Sequence, residues 1–212
     1  MTTLETFSNE LIAQLRDYQG MMPLGRGGFA SVYAARRRSD GMDVAIKVAA
    51  RRGDPRFARE EAALQRLPKG VGPELIDSGK TGSHHPYLVM SRLRGPSLAD
   101  WLHRQNPTLA EKLAVGALLA RVVNRMHDAG IIHRDLKPEN ILLVTVDNGK
   151  LEPRIIDFGL ARFVENAETL PLLADMTTEG SQLGTALYMA PEQCEGKKVD
   201  ASADIYSLGV VL

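Results

Sequence analysis

The stretch "IIHRDLKPENIL", from Ile131 to Leu142, decides the fold. It places His, Arg, Asp, Lys and Asn within one short loop, between two pairs of apolar residues. A solvated turn is one interpretation of such a polar loop. The other is a catalytic loop whose groups meet at one substrate. The motifs on either side of this loop distinguish the two interpretations.

Composition limits the class of protein. The chain has 212 residues with 26 basic and 26 acidic side chains, so its formal net charge is zero. The length predicts one domain or two small ones, and the balanced charge does not indicate binding to nucleic acid or to an anionic membrane. A single cysteine, Cys194, cannot form an internal disulfide, which favours a reducing, cytoplasmic location. We expect neither a signal peptide nor a membrane span from this segment.

The residues before position 91 predict a strand-rich lobe with one helix. The runs "LGRGGFASVY", "SDG" and "DVAIKV" have the apolar pattern and turn residues of three strands, and "PELIDSG" and "PYLVM" predict two more. Asp54 followed by Pro55 starts a predicted helix that ends near Leu67, with Leu64 and Leu67 facing inward. Ahead of this lobe, residues 1–20 form a flank with a short amphipathic helix over 4–15.

After Met90 the pattern becomes helical. A short helix is predicted from Ser97 to about His103, and a long one from the capping box at Thr108 to Gly130. The predicted buried side of the long helix comprises Leu113, Leu119, Val122, Val123 and Met126. The runs "ILLVTV" and "LEPRII" predict a hairpin. The whole is an α+β chain with a small lobe at 21–90, a linker at 91–94 and a larger lobe at 95–212. A ligand cleft is expected where the lobes join.

Two further motifs are weak when taken alone. In "LGRGGFASV", Gly25 and Gly27 let backbone N–H groups approach phosphates, although a plain β-turn explains the same glycines. "VAIK" ends on Lys47, which is either a solvent-reaching edge lysine or a cleft lysine that needs a carboxylate partner. Glu60 is the preferred partner, and Glu61, on another face of the helix, is the alternative.

The order of the motifs is stronger than any one of them. "GxGxxA", "VAIK", "HRDLKPEN", "DFG" and "APE" follow each other along the chain, and together they resemble the protein kinase family, its Ser/Thr branch in particular. The segments "HRDLKPENIL", "IIDFGLAR" and "GTALYMAPEQ" resemble the corresponding segments of eukaryotic-like Ser/Thr kinases of bacteria. The resemblance covers about Met21 to Leu212 and implies a two-lobed protein kinase-like fold with an incomplete second lobe.

The resemblance answers the question that the loop raised. It implies that Asp135 accepts or orients the proton of a substrate hydroxyl, that Lys137 steadies the γ-phosphoryl group, and that Asn140 and Asp157 hold Mg²⁺. Phosphoryl transfer spreads negative charge over oxygens, so positioned cations and metal ligands do most of the work. His133 is expected to pack below a neighbouring ring and not to act as a base.

The remaining site residues follow from the same resemblance. Lys47, held by Glu60, is implied to contact the α- and β-phosphates of ATP, and Thr185 to bridge Asp135 and Lys137. Adenine is expected between two small-lobe side chains and one large-lobe side chain, beside a gatekeeper methionine and the backbone of the linker. The implied nucleotide contacts are Leu24, Gly25, Gly27, Val32, Ala45, Lys47, Met90, Ser91, Leu93 and Leu142.

The implied activity is Mg²⁺-assisted transfer of phosphate from ATP to Ser or Thr hydroxyls on proteins. Lys137 and "GTALYMAPE" favour Ser/Thr acceptors on proteins, and autophosphorylation is expected at Thr177 or Thr178, with Arg134 and Arg162 as charged partners. Similar kinases commonly dimerise through the small lobe, so a homodimer belongs to the same expectation.

Two alternatives stay open at this point. A pseudokinase or nucleotide-binding scaffold usually lacks residues of the Lys47, Asp135 or Asp157 type, and all three are present. A small-molecule phosphotransferase shares the fold but not "GTALYMAPE".

The sequence departs from the family pattern at two places: Ala30 replaces the last loop glycine, and "DIYSLGVVL" stops in mid-pattern. We therefore expect a fragment of a longer protein, marginal in stability and weakly active at best by itself.

Overall fold

The structure is a computed structural model that describes residues 15–146, 149–164 and 187–212. The predicted flank helix, apart from Leu15, lies outside the described residues. So do Thr177, Thr178 and the candidate site residue Thr185.

The small lobe is a five-stranded antiparallel sheet. Its strands are β1 (Tyr18–Arg26), β2 (Ala30–Arg37), β3 (Asp43–Ala49), β4 (Leu75–Lys80) and β5 (Pro86–Ser91), in the order β1-β2-β3-β5-β4. Side chains alternate across β3. Val44, Ile46 and Val48 are buried in the cluster on one face, which leaves Lys47 on the opposite face. Because β3 is the central strand, Lys47 lies in the middle of the sheet, with Val32 and Leu88 as its cross-strand neighbours.

One helix, α1 (Pro55–Arg66), packs on the small-lobe sheet. It starts as predicted: the Asp54 carboxylate accepts a hydrogen bond from the Arg56 N–H at 3.0 Å, and Pro55 occupies the first turn. Its buried residues, Phe57, Glu60, Ala63 and Leu64, recur at helical spacing. This spacing brings Glu60 to the same face as the apolar residues, towards the interior.

The larger lobe is mainly helical in the described residues. Its elements are α2 (Leu98–Gln105), α3 (Leu109–Asp128), β6 (Ile131–Ile132), a 3₁₀ turn (Pro138–Asn140), β7 (Ile141–Thr145), β8 (Leu151–Ile155), β9 (Arg162–Phe163), α4 (Pro191–Cys194) and α5 (Ser202–Val211). The capping box between Thr108 and Glu111 is present, and Gly130 follows the end of α3 with φ +74°. The two-lobed α+β architecture and the β7–β8 hairpin agree with the sequence predictions.

The prediction that Leu113 is buried is wrong. Its side chain is 65% exposed, whereas Leu119, Val122, Val123 and Met126 are buried as predicted. Val115 and Gly116 complete the buried face in its place. At about 100° per residue, Leu113 lies roughly 120° around the helix from the centre of that face. A leucine near the start of an apolar helix was therefore assigned to the wrong side.

The linker between the lobes is held close to β7 by a glycine. A Cβ atom on Gly95 would lie 1.9 Å from the carbonyl oxygen of Leu143, so no side chain fits there. The Leu143 N–H donates to the Pro96 carbonyl at 2.9 Å, and Ser97 forms a β-bridge with Leu142. These contacts fix Leu142 on the large-lobe side of the cleft, next to the linker.

One apolar cluster runs through both lobes. It includes Phe57 and Leu64 of α1, Leu88 and Met90 of β5, and Phe158, together with buried residues of α3. At the other end of the large lobe, α5 leaves Ile205, Tyr206 and Val210 exposed. Within the described residues, no helix combines the length and the apolar character that a membrane span requires.

Candidate active site

Lys47 joins two carboxylates from different parts of the chain. Its Nζ lies 2.5 Å from Oε2 of Glu60 on α1 and 2.9 Å from Oδ1 of Asp157, which follows β8. Glu61 instead accepts a hydrogen bond from the Ser78 hydroxyl at 2.6 Å. The predicted choice of Glu60 over Glu61 as the partner of Lys47 is therefore confirmed as a contact.

The charges of this triad are coupled: Lys47 attracts both carboxylates, and Asp157 raises the pKa of Glu60. Burial disfavours the Lys47 ammonium, but Asp157 and Glu60 outweigh it, so the pKa of Lys47 is raised above its ordinary value. The positive charge of Lys47 lowers the pKa of Asp157 to about 2. Burial raises the pKa of Glu60, while Lys47 and a hydrogen bond with the backbone of Phe158 oppose that rise. Lys47 is thus the group that most opposes the rise that burial causes in the pKa of Glu60.

This dependence predicts a pH-sensitive defect in a Lys47→Met variant. Without Lys47, the pKa of Glu60 rises further, and a carboxyl with a raised folded-state pKa loses stability as pH rises above its ordinary range. Each further unit costs about 1.4 kcal/mol at high pH, or about 3–6 °C in Tm for a domain of this size. We expect the Tm gap between wild type and Lys47→Met to be wider at pH 8 than at pH 5.

Thermal unfolding of both proteins from pH 5 to pH 8 checks this expectation. Lys80→Met, which changes an exposed lysine at the end of β4, is the matched control and should show a gap that does not vary with pH. In the wild type Asp157 titrates near pH 2 and does not contribute between pH 5 and 8; in Lys47→Met it loses the charge that lowers its pKa, so any contribution widens the gap in the same direction. A constant gap for Lys47→Met would refute the assignment of Lys47 as the group that holds down the carboxyl pKa values of the triad.

A second cluster lies on the loop between β6 and β7. Oδ2 of Asp135 accepts hydrogen bonds from Nζ of Lys137 and from Nδ2 of Asn140, both at 2.9 Å. Asn140 is buried at the end of the 3₁₀ turn, and its Nδ2 also donates to the Asp135 carbonyl at 2.9 Å. The three polar side chains that the loop motif singled out therefore meet at one carboxylate, as a catalytic loop requires and a solvated turn does not.

The oxygens near this loop suit a hard divalent cation. Both hydrogen bonds of the Asn140 amide use its nitrogen, which leaves its Oδ1 for another partner. The Asp157 side chain is 50% exposed and uses Oδ1 for Lys47. One amide oxygen and one carboxylate suit Mg²⁺, which takes few protein ligands and completes its shell with phosphates and water. No cluster of three or more His, Cys, Asp or Glu occurs in the part of the chain that the structure describes.

His133 is a packing residue, in agreement with its predicted role. It is fully buried, and its ring meets that of Phe158 edge-on with centroids 5.0 Å apart. Its Nε2 lies 3.1 Å from the carbonyl oxygen of Ile156. An imidazole held on both sides in this way joins the catalytic loop to the strand that precedes Asp157.

Sequence reasoning missed the residue that anchors the catalytic loop from below. Asp204 on α5 is fully buried, and its carboxylate accepts hydrogen bonds from the N–H groups of His133 at 2.7 Å and Arg134 at 2.8 Å. The third partner is Nε2 of His127 on α3, at 2.9 Å. Asp204 is the first residue of "DIYSLGVVL", for which the sequence predicted no role in the site. The available signal was a single acid in a run that is otherwise apolar.

The nucleotide-contact candidates of the small lobe occupy neighbouring positions in the sheet. Val32 on β2 is paired with Lys47, and Ala45 on β3 with Met90 on β5. A Cβ atom on Gly25 would meet nothing within 4 Å, and one on Gly27 only the Ala30 carbonyl at 3.9 Å. Packing within the protein therefore does not require either glycine. The free space above them fits a closely approaching ligand.

Comparison with known proteins identifies the family of the chain. The protein kinase domain family matches residues 18–212. The chain belongs to the protein kinase family. Its kinase domain is 38% identical over 201 residues to the serine/threonine-protein kinase pkn2 of Myxococcus xanthus, covering 92% of this chain and 23% of that protein. It is 39% identical over 202 residues to the DNA damage-responsive serine/threonine-protein kinase RqkA of Deinococcus radiodurans, covering 92% and 29%.

A third relative gives the same picture. The serine/threonine-protein kinase PknB of Mycobacterium tuberculosis is 35% identical over 199 residues, which is 89% of this chain and 30% of that protein. The chain therefore spans between 23% and 30% of the length of these three kinases. The kinase cleft brings together Lys47, Glu60 and Asp157, and separately Asp135, Lys137 and Asn140. Thr185 lies outside the described residues.

Proposed function

We propose that this kinase chain carries the catalytic site for transfer of the γ-phosphoryl group of ATP to Ser or Thr hydroxyls of proteins, assisted by Mg²⁺. The supporting observation is that Asp157, a member of the first cluster, adjoins the second: the N–H of the preceding residue, Ile156, donates to the Asn140 carbonyl at 2.9 Å. The Asp157 carboxylate pairs with Lys47 at 2.9 Å, and the charges of Lys47 and, more weakly, Lys137 both lower its pKa. Because both lysines act on the Asp157 carboxylate, we propose that it faces the phosphates that Lys47 and Lys137 would contact.

Each cluster has a distinct task in this proposal. Bound ATP with Mg²⁺ supplies the transferable phosphoryl group. Asp135 accepts the hydrogen bond of the substrate hydroxyl and orients it in line, while Lys137 places a positive charge beside the transferred group. Lys47, fixed by Glu60, binds the α- and β-phosphates. Asn140 and Asp157 would hold the metal ion through oxygen. No residue of the chain forms a covalent bond in this scheme, so positioning and charge carry the catalysis.

The purine is proposed to lie between the apolar walls of the cleft. Val32 and Ala45 cover one face and Leu142 the other, with Met90 as the gatekeeper, Leu24 as a further contact and the backbone of Leu93 at the edge of the purine. The Ser91 N–H already donates to the Glu74 carbonyl at 2.8 Å. The carbonyl of Ser91 is therefore the group of that residue that a purine can use. Such a site takes its orientation from backbone groups and its affinity from apolar contact.

The wider context is proposed on the same basis. The acceptors are Ser and Thr of proteins, including Thr177 or Thr178 of this chain. The location is cytoplasmic, where ATP is available and a lone cysteine stays reduced. A homodimer through the small lobe is part of the proposal by likeness to similar kinases.

The proposal is tested by Mg²⁺-dependent transfer from labelled ATP in the full-length protein. The acceptors are the protein itself, a generic basic protein, an aminoglycoside and a sugar. Transfer to Ser and Thr of protein supports the proposal. Transfer only to a small molecule indicates a phosphotransferase of another kind. Binding of ATP without transfer to any acceptor indicates a nucleotide-binding scaffold.

Within this assay, Asp157→Asn should raise the Mg²⁺ concentration needed for half-maximal rate. The change keeps an oxygen but removes the negative charge that attracts the cation. Even partners outside the metal's own ligand shell cost about 10–100-fold in metal affinity when lost, so an increase of at least about tenfold is expected. Asp128→Asn, at an exposed position at the end of α3, is the control and should leave the Mg²⁺ dependence unchanged. An unaltered Mg²⁺ titration for Asp157→Asn would exclude Asp157 as a ligand.

A further inference from the structure

Gln193 links two parts of the kinase that the motifs describe separately. It lies on α4, directly after Glu192 of "APE", and is 1% exposed. Its Nε2 donates to the carbonyl oxygen of Arg134 at 2.8 Å, and its Oε1 accepts from the N–H of Ala190 at 3.1 Å. Both ends of the side-chain amide are thus engaged, one on the catalytic loop and one on the segment that leads into α4.

The bond to Arg134 falls on a backbone position under strain. Arg134 has a φ of +69°, a left-handed conformation that residues other than glycine rarely adopt. Such a conformation is unfavourable in itself and persists only when surrounding contacts hold it. The Arg134 N–H is held by Asp204 at 2.8 Å, and its carbonyl is held by Gln193. Buried side chains therefore hold the peptide group on each side of the strained residue.

The second of these peptide groups leads directly to the catalytic carboxylate. The Arg134 carbonyl and the Asp135 N–H belong to one planar unit, so the direction of that carbonyl sets the direction in which Asp135 leaves the backbone. The Asp135 N–H faces Nδ1 of His133 at 3.3 Å, a long contact that constrains it weakly. The shorter bond from Gln193 is then the main restraint on the rotation of this peptide.

We infer that Gln193 is a positioning residue for phosphoryl transfer: it fixes the Arg134–Asp135 peptide, and through it the Asp135 carboxylate, whenever the Ala190–Cys194 segment is seated. This inference rests on the proposed function. A purely structural role would be filled as well by an apolar side chain, since a buried amide brings no net gain unless its partners need it. In the part of the chain that the structure describes, the side-chain hydrogen bonds of Gln193 go to Arg134 and Ala190 and not to residues proposed to bind nucleotide, so we expect its effect on the catalytic step and not on ATP binding.

The test compares three variants of the full-length protein by steady-state kinetics and thermal unfolding. Gln193→Met keeps the shape and removes both hydrogen bonds. Gln193→Glu keeps the oxygen that accepts from the Ala190 N–H. It replaces the donor to Arg134 by a second oxygen, which cannot donate to the Arg134 carbonyl. Ser207→Ala is the matched control, because the buried Ser207 hydroxyl donates to the Tyr188 carbonyl at 2.7 Å and does not contact the catalytic loop. It therefore removes one buried bond to Tyr188, which lies just before the Ala190–Cys194 segment.

We expect Gln193→Met and Gln193→Glu to lower kcat about 10–100-fold, the scale of a displacement of about 1 Å at a reacting group. The KM for ATP should stay within about twofold. Ser207→Ala should lower Tm by as much as Gln193→Met while kcat is retained. If folded Gln193→Met keeps its kcat, or if Ser207→Ala loses as much kcat at equal Tm, the inference is overturned. Absence of transfer by the wild type would instead overturn the proposed function and this inference with it.

Discussion

An Asp135→Asn change should lower the rate of phosphate transfer about 10²–10⁴-fold, the usual contribution of a positioned base. The Asp135 carboxylate already accepts hydrogen bonds from Lys137 and Asn140, and both reach Oδ2 at 2.9 Å. A carboxylate has lone pairs left to accept the substrate hydroxyl as well. An asparagine has one oxygen for all three donors and turns an N–H₂ group towards one of them. The measurement is the initial rate of Mg²⁺-dependent transfer at saturating ATP in the full-length protein.

The same loop supplies the control for this experiment. Glu139→Gln changes an exposed acid four residues away and should leave the rate unchanged. Binding of a fluorescent ATP analogue should be the same for Asp135→Asn and wild type, because Asp135 faces the acceptor and not the nucleotide. A rate above a tenth of wild type for Asp135→Asn would remove Asp135 from the role of base.

Asp204→Ala should lower the free energy of unfolding, and this is the second large effect that we expect. This change leaves the N–H groups of His133 and Arg134 without their buried acceptor. Each unsatisfied buried group costs about 1–3 kcal/mol, so a loss of about 2–6 kcal/mol is expected, before the His127 contact is counted. Domains commonly have only about 5–15 kcal/mol in total. Urea unfolding measures the loss, and hydrogen exchange should show faster exchange at the amides of positions 133 and 134.

Asp200→Ala is the matched control for Asp204. The Asp200 carboxylate accepts from the Ser202 N–H at 2.8 Å at the start of the same helix, but in an exposed position where water replaces it. We expect a much smaller loss of stability and unchanged exchange at 133 and 134. If Asp204→Ala were no more destabilised than Asp200→Ala, the three bonds of Asp204 would not be what fixes the catalytic loop.

The grouping of the site residues was implied by the resemblance to protein kinases, whereas several details of their placement are set by local spacing. Helical spacing separates Glu60 from Glu61, and the contact with Lys47 follows from it. The offsets within "HRDLKPEN" bring Asp135, Lys137 and Asn140 to one turn. Asp54–Pro55 and the Thr108 capping box start their helices as predicted. Local geometry is fixed by neighbouring residues, which a sequence displays directly.

What was missed depends on contacts between residues far apart in the chain. Asp204 lies some 70 residues from the loop that it anchors, and Gln193 lies 59 residues from Arg134. No spacing rule connects such positions. Leu113 was misassigned for a related reason, because the side of α3 that is buried depends on what packs against it. The requirement for glycine at position 95 likewise comes from the distant carbonyl of Leu143.

The two contacts of Lys47 make the position of α1 a point at which such a chain can be controlled. Because Lys47 joins Glu60 on α1 to Asp157, moving α1 away would break the set that we propose to bind ATP, although α1 itself need not contact ATP. The apparent dissociation constant for a ligand is its intrinsic value divided by the fraction of molecules that are competent to bind. A regulator that left only about one molecule in a hundred with α1 in place would therefore weaken ATP binding about a hundredfold. Control of this kind requires a shift in population, not a change in the chemistry of the site.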